Sequence, residues 1–353
     1  NNYGTTNIEQ AGHVLTYKYD GVSNYNHINT LTHDNPVAYD KFGYCFDLSP
    51  TNEIIAVGTK PNDTTKSSIY IYKLIENNWV IIDMIDGDNS EYITGMPGYL
   101  ISRISINNDG TKLIFGDRDT NKAHIFDIIE SRSKLVKEII SNQSRYFGYQ
   151  VAISGNKNFI AVGAQYYDSG SYTNDGAVYV YQLVNEEYDW NNPTIFYGNE
   201  NNRNMGMHKI SFSYDGNVLL ITTGHANTAG QHSGGASIYR YDGTTWNMEK
   251  RIEGSRAYDY IGSAGSAVSG DGNTIVIGSR GNDRGYQTRV YKYINSQWSQ
   301  DHIFNTASGS STPYSDTDVD LNYDGSILVA GVNGYNNAYG ALRVYDTSDY
   351  SVK

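Results

Sequence analysis

The sequence predicts an all-β fold, a β-propeller built from four-stranded antiparallel blades, and two observations carry this prediction. A segment recurs six times along the 353-residue chain, with its fullest copy at Phe147–Tyr181, and repeats of about 50 residues are typical of propellers and other arrays. Each copy contains four short strands, here named A to D from the inside of the blade outwards. One blade cannot bury its faces alone, so neighbouring copies must pack against each other. We expect seven blades, with six as the alternative.

Strands A and B of each copy are joined by a polar turn. Asp-Gly between two short apolar runs signals a β-hairpin, because Gly adopts the positive φ that a primed turn needs. These turns are Asn108-Asp109-Gly110, Asp215-Gly216, Asp271-Gly272 and Asp324-Gly325. The six inner A strands are expected near Gly43–Ser49, Ile101–Asn107, Gly148–Ser154, Met207–Ser213, Ser263–Ser269 and Asp316–Asn322. Each B strand is an apolar run that ends in Gly, as in Ile160–Gly163.

Strand C carries pairs of tyrosines in alternating positions. The pairs are Tyr17/Tyr19, Tyr70/Tyr72, Tyr179/Tyr181, Tyr239/Tyr241 and Tyr291/Tyr293. Alternating residues share one face of a strand, so we expect these rings to pack between blades. Strand D is often opened by tryptophan, at Trp79, Trp190, Trp246 and Trp298. A weak helical periodicity over Ile128–Ile140 is interpreted as the C–D hairpin of the second blade.

The repeats predict one propeller domain over residues 1–353, with copies that start near residues 42, 98, 147, 205, 261 and 314. Residues 1–41 match only the outer strands C and D of a blade, at the seam of the propeller. An outer hairpin without inner strands leaves an edge that proteins avoid exposing. Flanking residues can supply the inner strands, the N-terminal strands can close the sixth blade, or the ends can pair with a neighbouring subunit, as in a filament.

Composition narrows the classes of function. The net charge is −12 and no stripe of Lys or Arg occurs, so a nucleic-acid partner is not expected. No apolar run reaches the ~18 residues of a membrane span. The single cysteine, Cys45, excludes an internal disulfide framework. No GxSxG, HExxH or phosphate-loop motif occurs, so we expect no enzyme, although a carboxylate pair assembled across blades stays an alternative.

The repeat resembles the FG-GAP family of integrin-α-like propellers. Phe42-Gly43 and Phe147-Gly148 match the FG element, Met205-Gly206 and Ile261-Gly262 are relaxed forms, and Val162-Gly163-Ala164 matches the GAP-like element. The resemblance covers nearly the whole chain through short motifs. It implies an extracellular or cell-surface propeller that binds protein or carbohydrate, usually with seven blades. The DxDxDG calcium loop of integrin-type repeats is missing, so calcium binding cannot be carried over.

Long loops on one side of the blades predict the binding surface. The A–B turns are minimal, whereas the B–C loops are long and rich in Gly, Asn, Ser and Tyr. Tyrosine and arginine on loops over a rigid scaffold are typical of recognition surfaces. We therefore predict partner-binding residues in the B–C loops (Tyr166, Tyr167, Tyr172, Tyr286, Tyr335, Tyr339) and in the D–A loops (Arg145, Arg203, Arg256).

Three acidic residues, Asp316, Asp318 and Asp320, alternate on the last inner strand and share one face. Arg103 and Lys209 occupy the position equivalent to Asp318 in other copies of the repeat. Ion pairing or hydration is one interpretation of the acidic strand, and a calcium site is the alternative, because hard oxygen ligands suit that ion. No other cofactor is predicted. The sequons at Asn62 and Asn142 predict glycosylated loops of a secreted protein.

These features lead to two hypotheses for function. The first is a non-catalytic extracellular or cell-surface module for adhesion, recognition or filament assembly, which binds a protein or glycan partner and is able to self-assemble. The alternative is a carbohydrate-binding or carbohydrate-active propeller, which requires two carboxylates that face each other across a pocket.

Overall fold

The computed structural model describes residues 11–20, 24–33, 38–49, 51, 53–59, 67–86, 101–130, 132–141, 145–281, 285–305, 318–332 and 341–353. None of these residues lies in a helix, so none forms an apolar helix that crosses a membrane. The chain divides into two compact units, residues 1–142 with 146–151, and residues 143–145 with 152–353.

The first unit contains a two-stranded sheet and two four-stranded sheets. The N-terminal hairpin consists of β1 (Val14–Tyr19) and β2 (Tyr25–Leu31). Sheet 1 has the order β3 (Cys45–Ser49), β4 (Ile54–Gly58), β5 (Ser68–Ile75) and β6 (Asn78–Asp86). Sheet 2 has the order β7 (Ile101–Ile106), β8 (Lys112–Asp117), β9 (Lys122–Ile129) and β10 (Arg132–Ile140). Sequential antiparallel strands of this kind form the A-to-D order of a propeller blade.

The remaining sheets repeat this order. Sheet 3 consists of β11 (Arg145–Ile153), β12 (Phe159–Tyr166), β13 (Ala177–Val184), β14 (Glu187–Tyr188) and β15 (Thr194–Tyr197). Sheet 4 consists of β16 (Ile210–Phe212), β17 (Val218–Thr222), β18 (Gly235–Tyr241) and β19 (Trp246–Glu253). Sheet 5 consists of β20 (Ile261–Val268), β21 (Thr274–Gly281), β22 (Gly285–Ile294) and β23 (Gln297–Asn305). Sheet 6 consists of β24 (Asp318–Leu321), β25 (Ile327–Val332) and β26 (Ala341–Asp346).

The predicted strand order is confirmed, with two corrections. The six predicted inner strands correspond to β3, β7, β11, β16, β20 and β24, and the C–D interpretation of Ile128–Ile140 corresponds to β9 and β10. Within the described ranges, six sheets have an inner strand, which matches the six-blade alternative rather than the favoured seven. Trp190 does not open strand D of sheet 3. Asp189 accepts hydrogen bonds from the backbone of Asn191 and Asn192, and this turn splits the strand into β14 and β15.

The A–B turns are built in the same way in successive sheets. In sheet 4, the Ser213 hydroxyl donates to Asp215 (2.7 Å) and accepts from the backbone N–H of Val218 (2.9 Å). In sheet 5, Ser269 makes the equivalent bonds with Asp271 (2.6 Å) and Thr274 (2.9 Å). A side chain that satisfies turn backbone in this way fixes the hairpin locally. These aspartates therefore organise the A–B turns.

The turns also link neighbouring sheets through their backbones. In the second unit, Asn156 N–H donates to the Tyr214 carbonyl (2.8 Å), and Tyr214 N–H donates to that of Gly270 (2.9 Å). Asp271 N–H donates to the Tyr323 carbonyl (2.8 Å). Each turn thus holds the next sheet at a fixed offset.

A second junction lies at the opposite end of the strands, where strand C of one sheet meets strand A of the next. Gly176 has φ of 74°, and a Cβ there would lie 2.3 Å from both the nitrogen and the oxygen of Met205. Gly234 makes the same approach to Ile261, and Gly12 to Phe42. The glycine of the FG element follows Met205: Gly206 has φ of 85°, and a Cβ there would lie 2.6 Å from the Ala177 carbonyl oxygen. The FG element is therefore a close backbone contact between sheets.

Apolar side chains fill the space between consecutive sheets. One cluster joins strands of sheets 1 and 2, and others join sheets 3 and 4, 4 and 5, and 5 and 6. The predicted packing of strand C tyrosines is confirmed at Tyr72, Tyr181, Tyr239 and Tyr291, which are all buried. In the N-terminal hairpin, Tyr17 and Tyr19 are 48% and 40% exposed instead.

Replacement of Gly176 by alanine tests the junction. Gly176→Ala adds a Cβ against the backbone of Met205 at positive φ, whereas Gly170→Ala adds one at φ of 86° with no atom within 4 Å. The left-handed backbone costs alanine about 1–2 kcal/mol at either position, and the overpacked contact adds about 1–3 kcal/mol at Gly176 alone. Thermal melts followed by circular dichroism should show the larger loss for Gly176→Ala. Equal melting temperatures would contradict the contact.

Candidate recognition surface

The B–C and D–A loops of sheets 3 and 4 hydrogen-bond to each other along their backbones. In sheet 3, Asn202, Asn204 and Met205 donate N–H groups to the carbonyls of Thr173, Asn174 and Asp175, at 2.9, 3.1 and 3.0 Å. In sheet 4, Tyr258 and Tyr260 donate to Gln231 and His232, at 2.8 and 3.0 Å. The B–C loops of sheets 3 and 4 are thus each tied to a D–A loop. We call residues 164–176, 198–205, 224–235 and 254–261 together the loop surface.

The D–A loops share an unusual backbone conformation. In each loop, the residues one and three positions before the first residue of the FG element have positive φ. These are Asn202 (57°) and Asn204 (55°) before Met205, and Tyr258 (64°) and Tyr260 (49°) before Ile261. Asparagine tolerates this region, but a bulky residue there is strained by roughly 1–2 kcal/mol. The tyrosines of sheet 4 therefore occupy positions where local conformation favours asparagine. Such strain directs attention to these side chains as candidates for function.

A buried arginine anchors the loop surface. Arg203 is 1% exposed, and its guanidinium donates to Glu200 (2.9 Å) and Glu253 (3.2 Å). Glu200 also accepts the N–H of Asn227 (2.7 Å), and Glu253 accepts the Thr228 hydroxyl and pairs with Arg251. The network therefore ties the D–A loop of sheet 3 to the B–C loop and strand D of sheet 4.

The charge state of Glu253 follows from this network. Burial acts to raise the pKa of Glu253, but the Thr228 hydroxyl and the guanidinium groups of Arg203 and Arg251 outweigh it, so the pKa lies below its usual value. The carboxylate is therefore ionised at neutral pH, as an ion pair with a buried arginine requires.

Three histidine rings meet on the loop surface. The rings of His208 and His225 are 5.1 Å apart between centroids, and those of His225 and His232 are 4.9 Å apart. Tyr260 stacks on His232 at 5.4 Å, and Tyr258 lies beside both rings. Burial, together with the nearby His232, lowers the pKa of His225. Over the ranges that the structure describes, no three His, Cys, Asp or Glu side chains are arranged to hold a metal ion.

The predicted tyrosines of the B–C loops differ in their environments. Tyr172 is 39% exposed at the tip of its loop, whereas Tyr166 and Tyr167 are half-buried. Tyr167 packs against Tyr197 (5.5 Å between ring centroids) and Tyr179 (6.4 Å), so it holds the loop in place. The side chain of Tyr286, and Tyr335 and Tyr339 entirely, lie outside the described residues.

The predicted arginines of the D–A loops also differ in their exposure to solvent. Arg145 is exposed. Arg256 is 40% exposed at its side chain and donates to the buried Asp259 (3.1 Å). The prediction of Arg203 as a partner-binding residue is corrected, because its guanidinium is enclosed by two glutamates rather than presented to solvent.

The acidic strand is described only in part. Asp318 and Asp320 lie on β24 with exposed side chains, and Asp316 is outside the described residues, as are the sequon residues Asn62 and Asn142. The surrounding protein limits hydration and raises the pKa of Asp320, while Lys209 acts to lower it and Asp318 to raise it. Both the ion-pair or hydrated interpretation and the calcium site stay predictions.

Sequence reasoning missed His208, Tyr258 and Tyr260 as members of this surface. The two tyrosines could have been found by aligning the D–A loops, because they occupy the slots of Asn202 and Asn204 in the preceding repeat. His208 lies before β16, and only the folded chain places its ring beside His225.

Substitution of Arg203 tests the anchor. Arg203→Met removes the buried cation of the network and leaves Glu200 and Glu253 with Arg251 as their remaining cationic partner; loss of one partner of a buried ion pair costs about 3–5 kcal/mol. Arg256→Met is the matched control in the next D–A loop, because its partly exposed pair contributes about 0–1 kcal/mol. Urea unfolding should show a clearly lower midpoint for Arg203→Met alone. Similar midpoints for the two variants would refute the anchoring role.

Acidification should loosen the loop of residues 225–234. Folding lowers the pKa of His225 below its ordinary value of 6.5. The folded loop therefore favours the neutral imidazole, and its stability is highest above pH 6.5. As the pH falls below that value, the unfolded loop binds the proton more readily and the folded loop loses stability. Amide hydrogen exchange, corrected for intrinsic rates, should show weaker protection of this loop at about pH 5 than at about pH 7.5. His225→Gln should remove the difference and the exposed His27→Gln should keep it. A pH dependence that survives His225→Gln would assign it to another group.

Comparison with known proteins gives the fold and one repeat family. Residues 141–181 match the FG-GAP repeat model. No curated protein matches the chain in sequence. A protein from Lactobacillus plantarum is similar in structure, with a TM-score of 0.61 and 13% identity over 97% of this chain and 94% of that chain. The Swd1 β-propeller domain of Myceliophteria thermophila has a TM-score of 0.55 and 12% identity over 88% of this chain and 85% of that chain.

Hydrazine synthase from Kuenenia stuttgartiensis is also similar, with a TM-score of 0.60 and 13% identity over 92% of this chain and 87% of that chain. Identities this low establish a shared fold but give no information about the activity of this chain. The matched FG-GAP segment coincides with β11, β12 and β13, the strands that contain Phe147-Gly148 and the run Val162-Gly163-Ala164. The chain is therefore an all-β propeller that contains an FG-GAP repeat.

Proposed function

We propose that this propeller is a non-catalytic recognition and adhesion module of the extracellular space or cell surface, which binds a protein partner through the loop surface. The observation that carries the proposal is the combination of exposed aromatic side chains with loops held in place. Tyr172 and Tyr258 are each 39% exposed, and backbone hydrogen bonds and the Arg203 network fix the loops that carry them. Rigid aromatic residues lose little conformational entropy on binding, and they dominate the energetics of many interfaces.

The extracellular assignment rests on the FG-GAP match at residues 141–181 and on the resemblance of the whole repeat to integrin-α-like propellers. The sequons at Asn62 and Asn142 are consistent with it. Expression in a secretory host, followed by glycosidase digestion and gel mobility, tests whether either asparagine carries a glycan.

An oligosaccharide partner is the second candidate, because the rings of His225, His232, Tyr258 and Tyr260 form one cluster beside the exposed Gln231. The Tyr258 hydroxyl donates to the Gln231 side chain. Ligand sites commonly combine aromatic rings with a few fixed polar groups, and both are present here.

Binding of the full chain to immobilised extracellular-matrix proteins and oligosaccharides tests the proposal and separates the two candidates. Tyr172→Ala with Tyr258→Ala should weaken any binding by about thirtyfold, the effect of one hot-spot residue of ~2 kcal/mol. Tyr214→Ala is the control, because Tyr214 is also 39% exposed but lies at an A–B turn. Equal losses for the control, or binding unchanged by the double substitution, would rule out the loop surface as the binding site.

A further inference from the structure

Two exposed tyrosines meet on the A–B turns of the second unit. Tyr214 in sheet 4 is 39% exposed, and Tyr323 in sheet 6 is 63% exposed. Their ring centroids are 5.8 Å apart at an interplanar angle of 66°, which is an edge-to-face contact. The turn of sheet 5 lies between them, since Tyr214 N–H donates to the Gly270 carbonyl and Asp271 N–H donates to the Tyr323 carbonyl. We call Tyr214 and Tyr323 together the tyrosine pair.

The hydrogen-bond acceptors around the tyrosine pair are already in use. One oxygen of Asp215 accepts from the Ser213 hydroxyl (2.7 Å), and the other accepts from the Asn217 amide Nδ2 (2.7 Å). Asp271 accepts the equivalent bonds in the turn of sheet 5. The carbonyl oxygens of both tyrosines accept N–H groups from neighbouring turns. A ligand that donates several hydrogen bonds would therefore find few acceptors here.

Hydrogen-bond donors, in contrast, are left over. Within the part of the chain that the structure describes, neither phenol hydroxyl of the tyrosine pair makes a hydrogen bond. Asn217 and Asn273 each give one amide N–H to the aspartate of their own turn and keep a second one. The surface around the tyrosine pair is therefore rich in donors and poor in acceptors.

The four turns of sheets 3 to 6 also carry a net negative charge. Asp215, Asp271 and Asp324 lie in the turns of sheets 4, 5 and 6, and the turn of sheet 3 carries one basic residue, Lys157. The hydroxyl and the backbone N–H of Ser326 lower the pKa of Asp324, so this carboxylate is ionised at neutral pH. A surplus of carboxylates disfavours an anionic ligand and favours one that carries a basic group.

We propose that the tyrosine pair is a docking surface for a proline-rich segment in the polyproline II conformation, with a basic residue at one end. Its pyrrolidine rings pack on the tyrosine rings, and its carbonyl oxygens accept hydrogen bonds from the phenol hydroxyls and the asparagine amides. Aromatic surfaces recognise such segments because the polyproline II helix is already formed before binding. At a rise of about 3.1 Å per residue, prolines two residues apart are about 6 Å apart, close to the 5.8 Å between the ring centroids.

The surplus of donors distinguishes this ligand from a sugar or a β-strand. A neutral oligosaccharide donates through its hydroxyls and needs the acceptors that the turns already use. A proline segment has no backbone N–H groups and brings acceptors only. An added strand needs an open backbone edge, whereas the carbonyls of both tyrosines are hydrogen-bonded to neighbouring turns. The tyrosine pair lies at the opposite end of the strands from the loop surface, so this site is independent of the proposed function.

An octaproline peptide with one N-terminal arginine and blocked ends is the probe. Isothermal titration into the full chain should show saturable binding at one peptide per chain. Added salt should weaken the binding, because it screens the attraction between the arginine and the turn aspartates. A glycine-serine peptide of the same length and charge should bind far more weakly, because it lacks both the pyrrolidine rings and the preformed helix.

Substitutions in the chain locate the site. Tyr323→Ala should weaken peptide binding by about tenfold, as expected for an aromatic anchor. Tyr323→Phe keeps the ring but removes the hydroxyl donor, so it should weaken binding by about threefold. Tyr17→Ala is the matched control, because Tyr17 is 48% exposed on the N-terminal hairpin of the first unit and should leave the affinity unchanged. Circular dichroism melts check that each variant is folded.

Three results would overturn the proposal. The first is no saturable binding of the octaproline peptide. The second is equal affinity for the glycine-serine peptide, because charge alone would then explain the binding. The third is an equal loss of affinity for Tyr323→Ala and Tyr17→Ala. None of these results bears on the loop surface, whose test substitutes other residues and uses other ligands.

Discussion

Close approach of backbones between consecutive sheets is the constraint on which the rest of the structure depends. At Gly12, Gly176 and Gly234, a side chain would overlap main-chain atoms of the next sheet. These contacts bring strand C of one sheet against the start of strand A of the next, and the interlocking apolar clusters then form between the sheets. In sheets 3 and 4 they also place the D–A loop beside the B–C loop, so the same constraint that builds these blades assembles the loop surface.

The loop surface combines local strain with non-local stabilisation. Tyr258 and Tyr260 adopt positive φ, and their backbone N–H groups bind the neighbouring loop. Arg203 joins two glutamates that are 53 residues apart, Glu200 and Glu253. Without Arg203 the two carboxylates would keep only Arg251 as a cationic partner, so one buried side chain stabilises loops from two sheets.

The sequence predicted most strands because their signals are local: Asp-Gly turns, apolar runs that end in Gly, and alternating tyrosines. The burial of Arg203 was not predictable in the same way, since Glu253 is distant in sequence and nothing local marks the pair. The split of strand D near Trp190 has a local cause, the turn formed by Asp189 and Asn192. It was missed because Trp190 occupies the same repeat position as the tryptophans that open strand D in other sheets. Tyr166 and Tyr167 were predicted on a long B–C loop; Tyr166 is the last residue of β12, and the partial burial of Tyr167 depends on rings from β13 and β15, which are distant in the local pattern.

The A–B turns show that the repeats are not interchangeable modules. In sheets 3 to 6, the residue after the turn-capping Ser or Asn alternates as Gly155, Tyr214, Gly270 and Tyr323. A Cβ on Gly155 would lie 2.5 Å from the Tyr214 ring, and one on Gly270 would lie 2.4 Å from the Tyr323 ring. A duplicated or shuffled copy would place two bulky residues, or two small ones, side by side. At this position in sheets 3 to 6, a small residue in one turn therefore makes room for a tyrosine in the next, and steric fit disfavours two neighbouring turns of the same kind.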